Sequence, residues 1–252
     1  MSSMLEAVGL NKRFGAVVAA DDINIRVGQG ERVSLVGSNG AGKTTFVNMV
    51  TGYMKPDTGS IKLDGADITL LHPRAITQSG VVRSFQTPQL FGQLSVMDNM
   101  MVANACHDQR LSFWQSAQRR EARDRAEALL ERFRLAEYGQ RRVSELPGGV
   151  RKLLDIAMAL TVAPKLLLLD EPTSGVSADE KYPMMETIMT VLGDARETTV
   201  LFVEHDMDIV ERYADRVIAF YSGRIIADDK PALALAADDV RRYVTGELKQ
   251  EA

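Results

Sequence analysis

The chain has 252 residues, a hydrophobic fraction of 45% and a formal net charge of −4 at pH 7. That apolar fraction is ample for one large core or two smaller ones, whereas the acidic balance argues against a dedicated nucleic-acid binder, which usually presents a strongly basic face. The single cysteine, Cys106, excludes an intrachain disulfide, and with the three histidines it cannot supply a metal-ligand cluster. We therefore expect a protein of a reducing compartment that does not bind nucleic acid.

The start of the chain lacks a basic segment followed by an apolar one, and no apolar run approaches the ~20 residues that span a bilayer. These features predict a soluble, cytoplasmic protein. Any role at the inner face of the cell membrane is then expected to come through partner subunits.

The N-terminal part of the chain contains short runs of alternating apolar residues at Leu5–Val8, Val17–Ala19 and Ile23–Val27, separated by glycines. This pattern predicts antiparallel strands joined by tight turns. Phe14 is unusual there because it is an aromatic residue in a polar turn. It either covers the edge of the sheet or stacks on the base of a nucleotide.

A phosphate-binding pattern, G-x-x-x-x-G-K-[ST], lies between a β-branched run at Arg32–Val36 and a helical run at Phe46–Val50. Its residues are Gly37, Ser38, Asn39, Gly40, Ala41, Gly42, Lys43, Thr44 and Thr45. Glycines let the loop wrap closely around a phosphate, and the helix that follows adds unpaired N–H groups and its positive dipole end. Lys43 is expected to reach the β- and γ-phosphates, and the Thr44 hydroxyl to bind Mg²⁺. A glycine-rich turn that merely opens a helix would need neither side chain.

Two further strands are predicted after this helix, at Ser60–Leu63 and at Val81–Gln86. Gln86 ends the second of them. A glutamine in that position is usually a solvated polar residue. Beside a nucleotide site, however, it is a candidate for sensing the γ-phosphate and the metal.

The composition changes at about Gln89, where helical spacing of apolar residues begins. The spacing extends over Ser95–Ala105 and Phe113–Leu135. The mixed charges of the second stretch are typical of a solvated helix face with i,i+4 pairs, not of a nucleic-acid surface. We predict an all-helical insert in an α/β core.

Two later apolar strands end on charged residues. Leu166–Asp170 is a continuous run of buried-strand type that is followed by Glu171, and Thr199–Val203 is followed by Glu204 and His205. The remaining predicted elements are a helix over 146–160, a hairpin over 216–227 and a short polar helix over 238–250.

In an open parallel sheet the carboxyl ends of the strands face one crevice, so these polar groups are expected to meet at one ligand. Phosphoryl transfer explains each of them. Thr44 and Asp170 would hold the metal, and Glu171 would orient the attacking water. His205 would hold the γ-phosphate or the water, with Gln86 completing the metal or water shell.

In these motifs the chain resembles the nucleotide-binding subunit of an ATP-binding cassette (ABC) transporter. The matching motifs are a Walker A loop at 37–45, a Q-loop at Gln86, a Walker B strand at Leu166–Asp170 with Glu171, and a histidine switch at His205. The resemblance covers nearly the whole chain. It implies an α/β fold: a P-loop NTPase core with a mainly parallel sheet, an N-terminal antiparallel β subdomain and an inserted α-helical subdomain. Residues 1–252 would form one nucleotide-binding domain, with the helical subdomain at 89–149 and the rest in 1–88 and 150–252.

The same resemblance implies the ligands and partners. ATP and Mg²⁺ would bind between two such subunits, with the Walker A loop of one facing the signature loop of the other, here Pro147, Gly148 and Gly149. Phe14 falls where the family has its base-stacking aromatic. The helical subdomain would dock onto membrane-spanning permease subunits, and a periplasmic solute-binding protein would take part indirectly.

The stretch Arg83–Phe91 followed by Leu94–Asn99, together with Glu204–Met207, is similar to the larger ATPase of branched-chain amino-acid importers. Related subunits import other small amides, acids or aromatic compounds, and the ATPase of a lipopolysaccharide exporter is also similar. The expected function is therefore ATP hydrolysis that drives uptake of branched-chain amino acids or a related small solute.

The sequence departs from the family pattern at the signature, which normally reads Leu-Ser-Gly-Gly-Gln and here reads Leu-Pro-Gly-Gly-Val over 146–150. The hydroxyl that would meet the partner's γ-phosphate is absent, and its loss could weaken that site about ten- to hundredfold. The D-loop is also altered, at Ser174–Ser177. We expect an asymmetric pair in which this chain joins a different ATPase with an intact signature.

Three alternatives remain at this point. A soluble ABC ATPase of DNA repair or translation usually has coiled-coil or zinc insertions or two cassettes, which this sequence lacks. A sensor that binds nucleotide and barely hydrolyses it is suggested by Pro147, although Glu171 and His205 are retained. A GTPase is disfavoured because no Asn-Lys-x-Asp segment is present.

Overall fold

The computed structural model describes residues 3–107, 116–194 and 198–246. Its strands are β1 (Ser3–Phe14), β2 (Val17–Gly28), β3 (Arg32–Val36), β4 (Thr58–Leu63), β5 (Ala66–Asp67), β6 (Val81–Ser84), β7 (Leu166–Asp170), β8 (Thr199–Val203), β9 (Arg216–Tyr221) and β10 (Arg224–Asp229). Its α-helices are α1 (Lys43–Val50), α2 (Pro73–Ser79), α3 (Val96–His107), α4 (Ser116–Arg132), α5 (Gly148–Leu160), α6 (Ala178–Asp194), α7 (Met207–Tyr213), α8 (Pro231–Ala236) and α9 (Asp238–Tyr243).

An antiparallel sheet with the strand order β2-β1-β4-β5 forms in the N-terminal region, as the sequence predicted. The strands β1 and β2 are each longer than the short runs from which they were predicted. Register shifts interrupt their pairing, for example between Ala7 and Leu10. Such irregularities break the strict alternation of apolar residues, so one long strand looks like several short ones.

The second sheet of the described chain has the order β10-β9-β3-β8-β7-β6. Strand β3 is parallel to β8 and β9, and β7 is parallel to β8, while β9 and β10 form an antiparallel hairpin. The central strands are buried almost along their full length, as expected for parallel strands with both faces covered. Their carboxyl ends, after Val36, Asp170 and Val203, lie at the same edge of the sheet.

Several predicted elements differ from the observed ones by a few residues at their ends. Strand β6 ends at Ser84, so Gln86 lies two residues beyond the strand that was predicted to include it. Helix α4 ends at Arg132, earlier than the predicted Leu135. The terminal helix α9 ends at Tyr243, and positions 113–115 and 247–250 of the predicted helices lie outside the described residues.

The chain divides into two compact units. The first contains Met1–Arg83, Lys165–Glu171 and Glu197–Ala252, and with them both sheets. The second contains Ser84–Pro164 and Pro172–Arg196, and it is helical, with Met100, Leu130 and Leu154 among its fully buried side chains. It extends beyond residues 89–149 at both ends and takes in α6, so the boundaries of the helical subdomain stay a prediction. No helix among the described residues is long and apolar enough to cross a membrane.

Candidate functional site

The loop between β3 and α1 is packed so closely against its neighbours that two of its positions require glycine. A Cβ on Gly42, where φ is 113°, would lie 2.8 Å from the carbonyl oxygen of Ala19. A Cβ on Gly37, where φ is 151°, would lie 2.5 Å from the carbonyl oxygen of Phe220. The N–H of Gly223 also donates to the carbonyl of Ala41 at 2.9 Å. The phosphate loop is therefore held by β2 and by the turn of the β9–β10 hairpin.

Lys43 is the first residue of α1 and is buried. Its Nζ folds back over the loop and donates to the carbonyls of Gly37 at 2.5 Å and Ser38 at 3.2 Å. Burial lowers the pKa of the Lys43 ammonium, and the negative charges of Glu171 and Asp170 oppose that shift. Lys43 thus lies in the electrostatic field of both carboxylates at the end of β7.

Asp170 at the end of β7 forms an ion pair with Arg83 of β6. The Nη2 atom of Arg83 lies 2.5 Å from Oδ2 of Asp170, and Nη1 donates to Oδ1 of Asn48 on α1 at 2.7 Å. The side chains of Arg83 and Asp170 are only 9% and 14% exposed. A guanidinium thus stands at the carboxylate that the sequence predicted to bind a metal.

Glu171 has a backbone conformation that is rare for a residue with a side chain. Its φ is 49°, and its N–H donates to the carbonyl of Val203 at 3.0 Å. The left-handed region costs roughly 1–2 kcal/mol for such a residue, which is typical of functional positions. In this conformation Oε1 of Glu171 lies 3.1 Å from Nε2 of His205. The structure therefore brings together Lys43, Asp170, Glu171 and His205.

The donor set suits Mg²⁺. This ion usually keeps several waters and takes one or two protein oxygens beside the phosphates of its ligand. The described residues contain no cluster of three or more His, Cys, Asp or Glu side chains that could hold a metal alone. A single carboxylate, Asp170, and an exposed hydroxyl, Thr44, fit an ion that arrives with a nucleotide.

Phe14 is the last residue of β1 and is 50% exposed. The Nζ atom of Lys12 lies 5.8 Å from the centroid of its ring. About half of the residue's surface is thus accessible. Its predicted stacking on a nucleotide base stays a prediction.

The second unit contains Gln86 and the signature segment. Pro147 is the N-cap of α5, with no side-chain hydrogen bond to the helix. A Cβ on Gly148 or Gly149 would meet no atom within 4 Å, so the backbone at the start of α5 is open. A cavity of about 460 Å³ lies here, and its lining includes Thr87, Gly148 and Ser174.

Residues 20–174 match the protein family described as ABC transporter. The chain belongs to the ABC transporter family. It is 36% identical to the high-affinity branched-chain amino acid transport ATP-binding protein LivG of Escherichia coli strain K12, over 97% of this chain and 98% of LivG. It is 34% identical to the corresponding protein BraF of Pseudomonas aeruginosa, again over 97% and 98%.

Solved structures agree with this assignment. The ADP conformation of an ATP-binding cassette of an ABC transporter matches with a TM-score of 0.85 at 30% identity, over 96% of this chain and 98% of that one. A nucleotide-free ATP-binding cassette matches with a TM-score of 0.83 at 29% identity, over 98% and 100%. These matches confirm the predicted P-loop NTPase fold, and the chain is an ABC ATPase.

Two polar contacts of this ABC ATPase were missed as site features by the sequence reasoning. The sequence gives Arg83 no role beyond the motif Arg83–Phe91, because its partner Asp170 is 87 positions away. Asp155 on α5 was not singled out, although it contacts the segment around Gln86. The available signal for Asp155 was its place as the one charged residue in the apolar run Leu153–Leu160.

Proposed function

We propose that the chain is the ATP-hydrolysing subunit of an importer of branched-chain amino acids or a related small solute. The observation that carries the proposal is the convergence of Lys43, Asp170, Glu171 and His205 at the carboxyl ends of β3, β7 and β8. The relatives LivG and BraF, which match nearly the whole chain, supply the solute class. They do not favour a DNA-repair ATPase, a nucleotide sensor or a lipopolysaccharide exporter.

The phosphate loop and Lys43 would hold the β- and γ-phosphates of ATP. The Lys43 ammonium already donates to the loop carbonyls of Gly37 and Ser38, so it needs only to exchange these acceptors for phosphate oxygens when the nucleotide binds. Thr44 and Asp170 would hold Mg²⁺, which when bound neutralises charge on the phosphates. Phe14 would stack on the adenine base.

Glu171 would act as the general base on the attacking water, and His205 would orient it. The 3.1 Å contact between the two side chains fixes the direction in which the Glu171 carboxylate points. General base catalysis requires an acceptor within hydrogen-bond reach of the water, and the strained backbone of Glu171 supports a role of this kind. Gln86 would complete the metal or water shell.

A second cassette would close over the nucleotide. The open backbone at Gly148 and Gly149 supports a contact of α5 with the partner's γ-phosphate. Because Pro147 lacks a hydroxyl, the site that uses this segment would be the weaker of the two. A different ATPase with an intact signature is therefore the proposed partner.

Permease subunits would anchor the chain at the cytoplasmic face of the membrane, and a periplasmic binding protein would deliver the solute. The test is reconstitution with the permease subunits and partner cassette in vesicles that contain MgATP. Uptake of radiolabelled leucine or valine that is lost in Lys43→Ala supports the proposal. Wild-type ATP hydrolysis without uptake of any branched-chain or related amino acid would contradict the assignment of the solute.

A further inference from the structure

Asp155 accepts hydrogen bonds from both sides of Gln86. The hydroxyl of Ser84 donates to Oδ2 of Asp155 at 2.6 Å, and the N–H of Gln89 donates to Oδ1 at 3.3 Å. The backbone N–H of Phe85 donates to the same carboxylate. One side chain of α5 therefore binds the segment 84–89 at its beginning and at its end.

The segment 84–89 leaves strand β6 at Ser84 and has no helix or strand of its own from Phe85 to Gln89. The course of such a segment depends on the side chains that bind its backbone. Burial raises the pKa of the Asp155 carboxyl, while the hydrogen bonds from Ser84, Gln89 and Phe85 and the charge of Lys152 oppose the shift. The contacts therefore belong to a partly buried carboxyl group and not to a freely solvated one.

The same helix carries the signature glycines. Gly148 precedes Asp155 by two turns, or about 10 Å along a helix that rises 1.5 Å per residue. Gly148 also lines the cavity that is lined by Thr87 and Pro88 of the segment 84–89. Because an α-helix moves as a rigid element, a shift of Gly148 is also a shift of Asp155.

We propose that Asp155 is a positioning residue that joins Gln86 to the signature end of α5. When Gly148 and Gly149 meet the nucleotide of the partner cassette, Asp155 transmits the displacement of α5 to Gln86. The two nucleotide sites of the closed pair are thereby coupled. This inference rests on the proposed function, since it needs a second cassette and a role for Gln86 in hydrolysis.

A purely structural role for Asp155 is the competing explanation, and matched variants separate the two. Asp155→Asn keeps the shape, and its carbonyl oxygen can accept from the N–H groups of Phe85 and Gln89 while its amide donates to the Ser84 hydroxyl. Asp155→Ala removes every one of these bonds. Ser84→Ala removes one of them and leaves the carboxylate in place.

The experiment measures binding of a fluorescent ATP analogue, the rate and Hill coefficient of MgATP hydrolysis, and hydrogen exchange of residues 84–89. In Asp155→Ala we expect nucleotide binding within about twofold of wild type and a Hill coefficient that falls to 1. We also expect kcat to be about tenfold lower. A tenfold change in rate corresponds to about 1.4 kcal/mol, the size of one hydrogen bond to a charged group. Exchange of the segment should rise. Ser84→Ala should show the same changes more weakly, and Asp155→Asn should restore kcat to within about threefold.

The inference is overturned if Asp155→Ala keeps the wild-type kcat and Hill coefficient, or if the wild type itself has a Hill coefficient of 1. It is also overturned if Asp155→Asn is as defective as Asp155→Ala, because hydrogen-bonded positioning then has no part in the effect. Absence of ATP hydrolysis in the wild type is a separate result that rejects the proposed function itself. In that case unchanged hydrogen exchange in Asp155→Ala still rejects the anchoring of the segment.

Discussion

The guanidinium of Arg83 lies 2.5 Å from the carboxylate of Asp170, and both side chains are largely buried. A cation therefore balances the charge of Asp170 in this structure. Removing one partner of a buried ion pair leaves an uncompensated charge, whereas a bound metal ion could replace the guanidinium. Arg83 is thus expected to matter most for the nucleotide-free protein.

Arg83→Met should lower the free energy of unfolding by about 3 kcal/mol without nucleotide, because Asp170 loses its counter-ion. Saturating Mg²⁺ with a non-hydrolysable ATP analogue should remove most of this deficit. Thermal or urea unfolding with and without the Mg²⁺–ATP analogue measures this deficit. The control is Asn48→Ala, which removes the hydrogen bond from Arg83 to Asn48 and leaves the ion pair with Asp170 in place. An equal deficit in both conditions would contradict the exchange of cations at Asp170.

Lys43→Ala should weaken ATP binding about ten- to hundredfold, because a hydrogen bond from a charged donor contributes roughly 1.5–3 kcal/mol. The expected loss concerns the triphosphate, so adenosine should bind the variant and the wild type alike. Isothermal titration with ATP and with adenosine distinguishes the two. Lys43→Arg, which keeps the charge, is the matched variant, and wild-type ATP affinity in Lys43→Ala would remove the lysine from the site.

Pro147→Ser with Val150→Gln should raise ATP turnover of the homodimer about tenfold, because the serine hydroxyl restores one hydrogen bond to a charged group. Pro147 is the N-cap of α5, so serine should also cap the helix and add about 1 kcal/mol of stability. Pro147→Ala with Val150→Gln lacks the hydroxyl and controls for the change in backbone. No increase in rate over that control would end the asymmetry hypothesis.

The stability of the protein should depend on the ionisation of Asp155. Burial raises the pKa of its carboxyl in the folded state above the ordinary value of 3.8. A raised pKa means that the folded state binds more protons than the unfolded state at pH values between 3.8 and the folded-state pKa. The contribution of Asp155 to stability is then fully present below pH 3.8 and is lost as the pH rises through the folded-state pKa.

Asp155→Asn cannot titrate, so the unfolding free energy of the wild type relative to this variant should fall as the pH is raised from 3.8 and then become constant. Urea unfolding of both proteins across this range measures the difference. Lys152, whose charge favours the ionised form of Asp155, provides a further comparison in Lys152→Met. A difference that stays flat or rises with pH would show that the carboxyl is not destabilised by burial.

The phosphate loop, the apolar strands and their charged ends could be predicted because their signals are local. The glycines and lysine of the loop follow one another in the sequence, and a buried strand such as β7 is recognisable from its own residues. The sheet order then places Asp170 and the end of β8 side by side. The local sequence pattern, together with the general rule that parallel strands end at the same edge of a sheet, was therefore enough to predict these elements.

The contacts of Arg83 and Asp155 could not be predicted in this way. They join residues 87 and 71 positions apart, and the sequence pattern does not give the distances between these side chains. The positive φ of Glu171 is likewise absent from the pattern, because a non-glycine residue adopts it only when tertiary contacts require it. The overestimate of β6 has a related cause, since the backbone N–H of Phe85 donates to the Asp155 carboxylate.

The most direct test of ATP hydrolysis at this site uses Glu171→Gln, which keeps the shape of the side chain and removes the base. Steady-state turnover and molar mass by light scattering are measured with MgATP and compared with Lys43→Ala. We predict that turnover falls about 10²- to 10⁴-fold, the usual contribution of a general base, while ATP binding persists and a stable dimer forms. Hydrolysis at the wild-type rate, or a variant that remains monomeric with ATP bound, would contradict this account.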